Sequence, residues 1–168
     1  MTIDPLSIPV RQLSDCLSDT EKDAIERECQ HYEFREAAAI EALKLVQSNR
    51  GWISDELLYA IAEQIGMPAA QLDGVATFYN HIYRQSVGRH VIHLCDSIAC
   101  HLLRYQAIAK QLEQTLGITF GQTTKDGQFT LLTNPCLGAC DKAPALMLDG
   151  NIIELVNEQN VIALIESI

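Results

Sequence analysis

Two pairs of closely spaced cysteines constrain the fold of this chain more than any other feature. Four residues separate Cys95 from Cys100 in LCDSIACHLL, three separate Cys136 from Cys140 in TNPCLGACDKAP, and 35 lie between the two pairs. A fold that brings these two segments together creates a site of four thiolates. Iron–sulfur clusters and structural zinc both accept such a site.

The loop lengths within the pairs favour iron–sulfur over zinc. Zinc sites often use two-residue loops because both thiolates must hold one ion, although loops of up to four residues occur. In a [2Fe–2S] cluster each pair of cysteines binds one iron, and loops of three and four residues leave backbone room around the bridging sulfides. The spacing therefore predicts one [2Fe–2S] cluster, with zinc as the alternative, on these four residues: Cys95, Cys100, Cys136 and Cys140.

Residues beside the cysteines suit an anionic cluster. Cys100 falls in the first turn of a predicted helix, where free N–H groups and the helix dipole favour a thiolate. Gly138 can adopt a positive φ that turns backbone N–H groups toward sulfur, and a plain turn glycine is the alternative. His101 is a weaker candidate for a donor or a Rieske-type ligand, and Lys142 for charge compensation.

The other two cysteines and one proline are given plainer interpretations. Cys16 and Cys29 have no close cysteine partner in the sequence and are interpreted as free thiols. The bond before Pro144 is open to either isomer, although cis X–Pro bonds are uncommon in folded proteins. None of these three residues is expected to bind the cluster.

The apolar pattern of the N-terminal half predicts four helices. A capping box of Ser18 and Glu21 opens the first, and a stripe that includes Ala39, Leu43 and Val46 marks the second. The predicted starts and ends are Ser18 for the first, residues 34–51 for the second, Ser54 to Gly66 for the third, and Pro68, in the first turn, to Tyr83 for the fourth. Residues 1–87 are therefore expected to form an all-helical bundle.

After Gly88 the pattern changes to that of an α/β fold. The predicted elements are a strand in residues 89–97, a helix over 99–117, a strand over 128–134, a hairpin turn at Asp149-Gly150, and a last helix capped by Asn157. Residues 88–168 are thus expected to form a second domain, with a strand-to-helix turn that carries Cys95 and Cys100.

The charge and the apolar runs exclude several classes of partner. A formal net charge of −10 disfavours nucleic acids and anionic membranes. Residues 1–80 hold 14 acidic and 6 basic side chains, which predicts either a docking face for a basic partner or a solvated helical surface. No apolar run is long enough for a membrane span, and MTIDPLSIPVRQ lacks the pattern of a signal peptide. A cytoplasmic protein is expected, and a reducing cytosol disfavours disulfides.

Motifs for binding a nucleotide or for dithiol catalysis are not found. The nine glycines are never two residues apart, which excludes G-x-G-x-x-G, and no GxxxxGK[ST] occurs. The chain also has no C-x-x-C, which weakens a stand-alone disulfide reductase as the third hypothesis. If the chain serves a redox enzyme, another protein chain is expected to bind the hydride donor.

Four longer stretches resemble one family. They are AAIEALKLVQSNRGW (38–52), GMPAAQLDGVATFYNHIYRQSVGRHVIHLCDSIACH (66–101), LGITFGQTTKDGQFTLL (116–132) and PCLGACDKAPALMLD (135–149). From about Leu17 to Ile168 the chain resembles the E subunits of bacterial respiratory NADH:quinone oxidoreductase (complex I), homologues of the mitochondrial flavoprotein-2 subunit. GVATFY and CLGAC are the most specific stretches. The family often has Thr-Pro-Glu before the last helix, where this chain has ELVNEQN.

This resemblance implies an N-terminal helical bundle followed by a thioredoxin-like domain with one [2Fe–2S] cluster on Cys95, Cys100, Cys136 and Cys140. It also implies two partners in the peripheral arm of the complex at the inner membrane: an NADH- and FMN-binding flavoprotein subunit and a large iron–sulfur subunit. The chain would then be an electron carrier without an NADH site, placed near the flavin, with transient electron storage as its role. Subunits of NAD-linked hydrogenases and formate dehydrogenases are the alternative, and a zinc-stabilised adaptor is a more distant one.

Overall fold

In the computed structural model, residues 16–168 are described, and the chain divides into two units between Ser86 and Val87. The described part of the first unit, residues 16–86, is helical with no strand, and the second unit is a sheet with helices. Together they give the α/β class that the sequence predicts. Within residues 16–168, no helix combines the length and the apolar character that a membrane crossing requires.

Within residues 16–86, the helical unit contains four α-helices, α1 (Asp19–Cys29), α2 (Ala39–Arg50), α3 (Asp55–Ile65) and α4 (Ala69–Phe78), and a 3-10 turn (Arg35–Ala38) that leads into α2. The Ser18–Glu21 capping box is present at the start of α1, and Ser54 accepts a hydrogen bond from the N–H of Leu57 at the start of α3. Both predicted caps are therefore confirmed. The apolar stripes of the helices meet in one buried core that includes Ile25, Leu43, Ile61 and Leu72.

An ion pair between a buried carboxylate and a partly exposed arginine joins α1 to α2. The Glu21 carboxylate, only 2% exposed, accepts hydrogen bonds from Nε of Arg50 at 2.9 Å and from its terminal nitrogen at 2.7 Å. The backbone N–H of Ser18 donates to the same carboxylate at 2.8 Å. These bonds and the Arg50 charge lower the pKa of Glu21 to about 2.

Helix α4 differs from its predicted bounds. Pro68 precedes the helix as its N-cap instead of lying in the first turn, and the helix ends at Phe78 and not at Tyr83. The amide of Gln47 accounts for the early end, because its nitrogen donates to the carbonyl of His81 at 2.7 Å and its oxygen accepts from the N–H of Tyr83 at 2.6 Å. Tertiary bonds to α2 thus replace the hydrogen bonds of a longer helix.

The second unit contains five strands, β1 (His90–Cys95), β2 (Gln122–Thr123), β3 (Phe129–Asn134), β4 (Leu146–Leu148) and β5 (Asn151–Ile153), in the spatial order β2-β3-β1-β4-β5. Only β1 and β3 pair in parallel, and the other three pairs are antiparallel. The predicted hairpin is confirmed, with positive φ at Asp149 and Gly150 between β4 and β5. Strand β2 is too short to leave a pattern in the sequence.

The predicted helix over residues 99–117 is wrong in one respect, since it is two helices. Helix α5 spans Ile98–Leu102 and α6 spans Tyr105–Leu116, with Arg104 in the left-handed conformation at a φ of 72° between them. The Arg104 guanidinium pairs with Glu158, 2.9 Å away at the start of α7 (Glu158–Glu166). Asn157 caps α7, as predicted. Apolar side chains of α6, α7 and the sheet pack into a second core.

Candidate metal centre

The parallel pairing of β1 and β3 brings the two cysteine pairs to one edge of the sheet. Cys95 is the last residue of β1, its register partner is Asn134 at the end of β3, and Cys136 follows two residues later. The backbone N–H of Asp96 donates to the carbonyl of Asn134 at 2.8 Å, which continues the ladder past the end of β1. Because parallel strands end at the same edge, both loops leave the sheet side by side.

The four thiols differ in exposure. Cys95 and Cys100 are each 2% exposed and form a small buried cluster with Ala143. Leu137, from the loop between the other two cysteines, packs against this cluster. Cys136 and Cys140 are exposed. Cys95 and Cys100 therefore form the buried part of the candidate site, and Cys136 and Cys140 form its solvent-exposed part.

Hydrogen bonds and burial act in opposite directions on the buried thiols. Burial raises the pKa of Cys95, but hydrogen bonds from the Ser97 hydroxyl and from the backbone of Leu137 outweigh it, and the pKa falls below its ordinary value. Burial also raises the pKa of Cys100, and there it prevails because the sulfur of Cys95 adds to it. The site thus favours the thiolate first at Cys95.

The charges of the buried pair of cysteines also affect the pKa of a cysteine in the exposed pair. The pKa of Cys140 is raised first by its hydrogen bond with Cys136 and by the charge of that sulfur, and to a smaller extent by the charges of Cys95 and Cys100. The sulfur of Cys140 therefore lies within electrostatic range of the other three sulfurs. Four thiolates at such a distance repel, and a positively charged metal centre would remove that repulsion.

The thiols of the candidate site are arranged in two pairs. Among residues 16–168, no three or more His, Cys, Asp and Glu side chains converge at a point where a single ion would be held. The sulfurs instead come as Cys95 with Cys100 and Cys136 with Cys140. Each iron of a [2Fe–2S] cluster takes two thiolates, so two pairs of cysteines are a donor set that such a cluster can use.

Gly138 has the predicted geometry. Its φ is 80°, and its backbone N–H donates to Sγ of Cys136 at 3.3 Å. Ser97 is a residue that the sequence analysis missed: its Oγ lies 3.5 Å from Sγ of Cys95, and the hydroxyl can donate to a thiolate there. A serine between two candidate ligands was the available signal.

His101 and Lys142 have other partners. Nε2 of His101 pairs with Oδ1 of Asp96, and its ring lies against Tyr105 with the centroids 4.3 Å apart. Nζ of Lys142 pairs with Oε2 of Glu154 at 2.8 Å, so its charge first compensates a carboxylate and not a sulfur. The Ala143–Pro144 bond that follows is cis.

Replacing Gly138 by alanine is expected to shorten the lifetime of the cluster. Alanine at this φ costs about 1–2 kcal/mol, and relief of that strain rotates the N–H away from Cys136. The measurement is the loss of visible absorption under an iron chelator. Gly127→Ala is the matched control, because Gly127 also has a positive φ and open space around it but makes no contact with sulfur. Equal lifetimes in the two variants would contradict a role for the Gly138 N–H.

Comparisons with known proteins also indicate a [2Fe–2S] protein. Residues 25–168 match the family model described as thioredoxin-like [2Fe-2S] ferredoxin. The chain is 57% identical over 133 residues to the E subunit of NADH-quinone oxidoreductase from Salmonella typhimurium, covering 79% of this chain and 80% of that protein. It is 50% identical over 151 residues to the protein of the same name from Pseudomonas aeruginosa, covering 90% and 91%.

One solved structure gives a more distant likeness. The crystal structure of an NAD+-reducing [NiFe]-hydrogenase in the air-oxidised state matches with a TM-score of 0.67 and 25% sequence identity, over 77% of this chain. The match spans only 22% of that hydrogenase chain. Part of an NAD+-reducing [NiFe]-hydrogenase is therefore similar in fold to this chain.

Proposed function

Because this chain belongs to the thioredoxin-like [2Fe–2S] ferredoxin family, among relatives named as E subunits of NADH-quinone oxidoreductase, we propose that it is the iron–sulfur electron-transfer subunit of a respiratory NADH:quinone oxidoreductase. The observation that carries the proposal is the meeting of two cysteine pairs at the shared edge of β1 and β3. At that edge the four thiols lie as two pairs, and in the proposal each pair would bind one iron.

The proposed ligands of one [2Fe–2S] cluster are Cys95, Cys100, Cys136 and Cys140. When bound, the cluster supplies one-electron oxidation and reduction at the sheet edge. The protein contributes hydrogen-bond donors to the sulfurs: the hydroxyl of Ser97 and the backbone N–H groups of Leu137, Gly138 and Ala145. Donors of this kind stabilise the negative charge on sulfur and so raise the tendency of the site to accept an electron.

The hydride chemistry is assigned to a partner. The chain has no G-x-G-x-x-G or P-loop motif, so NADH and FMN are placed on a neighbouring flavoprotein subunit with which this chain exchanges single electrons. A large iron–sulfur subunit is the second proposed neighbour. The complex would hold this chain in its peripheral arm, on the cytoplasmic side of the inner membrane, with the quinone reduced elsewhere.

A subunit of an NAD-linked hydrogenase is the second candidate, and the hydrogenase likeness favours it. The identity of 57% with an E subunit against 25% with the hydrogenase supports the first candidate. The neighbouring genes distinguish the two. A flavoprotein gene followed by quinone-site and membrane-subunit genes is expected, and a pair of hydrogenase genes would support the second candidate.

Anaerobic purification of the full chain tests the cluster itself. We expect a coloured protein with about two irons and two sulfides per chain, and a reduced state with the EPR signal of a [2Fe–2S] centre. A colourless protein with one zinc per chain would overturn the proposal. Turnover of a dithiol or disulfide substrate by the purified chain is expected to be absent, and measurable turnover would support a disulfide reductase instead.

A further inference from the structure

Ser97 differs from the other polar residues that precede helices in this chain. Ser18, Ser54, Ser97 and Asn157 stand at the N-cap positions of α1, α3, α5 and α7. In the other three, a side-chain oxygen accepts a hydrogen bond from an N–H of the first turn, which is the usual role of such a residue. Ser97 has the same extended backbone, with a φ of −80° and a ψ of 161°, but its side chain makes no capping bond.

The Ser97 hydroxyl lies beside a candidate ligand instead. Its Oγ is 3.5 Å from Sγ of Cys95, and the residue is half-buried. The carbonyl of Ser97 accepts the N–H of His101 at 2.9 Å, so α5 begins with a backbone bond and without a side-chain cap. The side chain that could cap this helix is thus directed to a sulfur.

The same hydroxyl acts on both buried sulfurs. Burial is the largest influence on Cys95 and on Cys100, and it raises the pKa of each thiol. In both cases the hydrogen bond of the Ser97 side chain is the largest influence in the opposite direction. Because a hydroxyl has a single proton, it donates to one of these sulfurs at a time. Ser97 therefore stabilises negative charge on the pair and not on one sulfur alone.

A hydroxyl donor differs from the other donors to the sulfurs. The N–H groups of Leu137, Gly138 and Ala145 belong to the backbone, so they stay in place whichever side chains those positions carry. The Ser97 hydroxyl is gained or lost with a single substitution. Position 97 is thus a point at which the sequence changes the charge that the sulfurs tolerate while the backbone stays the same.

A donor of this kind favours the reduced state over the oxidised state. Reduction of a [2Fe–2S] site adds one electron, and the sulfur ligands share the added negative charge. Hydrogen bonds to a charged acceptor are stronger than those to a neutral one, so the bond from Ser97 strengthens on reduction. The hydroxyl proton stays on Oγ, and no covalent bond forms or breaks. The stronger bond in the reduced state raises the reduction potential.

We propose that Ser97 sets the reduction potential of the site, because its hydroxyl serves the sulfurs of Cys95 and Cys100 instead of capping α5. This inference rests on the proposed function and names the residue that adjusts it. Ser97 acts through the sulfurs and does not touch the electron donor, so it is a positioning residue and not a catalytic one. The potential in turn decides how far an electron from the partner's flavin remains on this chain.

The test is a redox titration of the full-length, cluster-loaded chain, followed by the EPR signal of the reduced state. In Ser97→Ala we expect the ratio of reduced to oxidised chain at a fixed potential to fall about 10-fold, which is a midpoint lower by about 59 mV for one electron. The number of irons per chain should not change. Ser97→Thr keeps a hydroxyl and is expected to keep the potential of the unmodified chain.

Ser54→Ala is the matched control. Ser54 is also an N-cap serine, but its hydroxyl accepts the N–H of Leu57 at 3.2 Å and lies in the helical unit. Ser54→Ala is therefore expected to lower the urea midpoint of that unit and to leave the potential unchanged. The two variants separate the loss of a cap from the loss of a donor to sulfur.

The outcomes distinguish this inference from the proposed function. If the chain holds its cluster and Ser97→Ala has the potential of the unmodified chain, the role of Ser97 is wrong and the proposed function stands. If the chain holds no cluster, both fail. Equal lowering in Ser97→Ala and Ser97→Thr would show that shape and not the hydroxyl matters, which also overturns the inference. Should Ser97→Ala lose the cluster, Ser97→Val compared with Ser97→Thr gives the same test between side chains of equal shape.

Discussion

Cys100→Ser and Cys136→Ser are each expected to lose the proposed cluster, whereas Cys16→Ser is expected to keep it. This result is expected because each of the first two changes removes one proposed thiolate, and serine ionises far less readily than cysteine. Removing an outer partner of a metal ligand already costs about 10–100-fold in metal affinity, so the loss of a ligand should cost at least as much. The measurement is the number of irons per chain, together with the visible and reduced-state EPR spectra.

The two serine variants are expected to differ in the amount of iron that they keep. Cys100 is 2% exposed, and a hydroxyl there stays buried among the apolar side chains of Ala143 and Leu137. Cys136 is exposed, so water can reach the iron that loses its sulfur. We expect little iron in the first variant and a small remnant with an altered spectrum in the second. Equal loss in these variants and in Cys16→Ser would show that the ligand assignment is wrong.

Glu21→Gln is expected to destabilise the helical unit by about 2 kcal/mol at neutral pH. The pKa of Glu21 is about 2, against an ordinary value of 4.5, because Arg50 donates two hydrogen bonds to its carboxylate. A shift of this size corresponds to roughly 3 kcal/mol, and the partial exposure of Arg50 reduces it. Glutamine fills the same space but leaves the arginine without its charge partner.

The destabilisation caused by Glu21→Gln is expected to depend on pH. Because the pKa is lower in the folded chain than in the unfolded one, the stabilisation is complete above about pH 4.5 and is lost as the pH falls toward 2. The difference in unfolding free energy between the unmodified chain and Glu21→Gln should therefore shrink as the solution is acidified. A difference that stays constant down to low pH would contradict the ion pair as its cause.

Fluorescence can follow this unit alone. Trp52 is the single tryptophan of the chain and lies in the helical unit, so its fluorescence reports on the unfolding of that unit. Glu26→Gln is the matched control: Glu26 makes a two-bond pair with Arg35, but both side chains are exposed. Exposed pairs contribute little, and a much smaller loss is expected there.

Short segments of the sequence are sufficient to predict most of the helix starts and turns of this fold. Ser18, Ser54 and Asn157 each cap a helix where the sequence predicts one, because a side-chain oxygen before an apolar stripe satisfies N–H groups that the helix leaves free. The Asp149-Gly150 hairpin follows from the same kind of local chemistry, since its turn needs two residues that accept a positive φ.

The errors arise where distant parts of the chain decide the structure. Nothing in LLRYQ suggests a break, since arginine is a good helix former, yet Arg104 adopts a positive φ and bonds to Glu158, far along the sequence. Helix α4 likewise ends early because Gln47, 36 residues before Tyr83, bonds to the segment that follows the helix. Propensity cannot anticipate partners that only the folded chain supplies.

The candidate site was predictable in its members but not in its environment. Spacing alone selects the four cysteines, because no other cysteines are close in sequence. That Cys95 and Cys100 are buried while Cys136 and Cys140 are exposed depends on the packing of Ala143 and Leu137. The same holds for the partner of Lys142, because Glu154 follows the next two strands, β4 and β5.

The parallel ladder of β1 and β3 also limits where this gene can change in length. Six residue pairs run from His90 opposite Phe129 to Cys95 opposite Asn134. One extra residue within β3 would displace the loop of Cys136 by about 3.3 Å along the strand, which is more than a metal–sulfur bond of about 2.3 Å. The same insertion in the loop before β3 leaves the ladder in register. Relatives can therefore differ in length between α6 and β3 outside the two residues of β2, while an inserted codon in β1 or β3 separates the two halves of the proposed site.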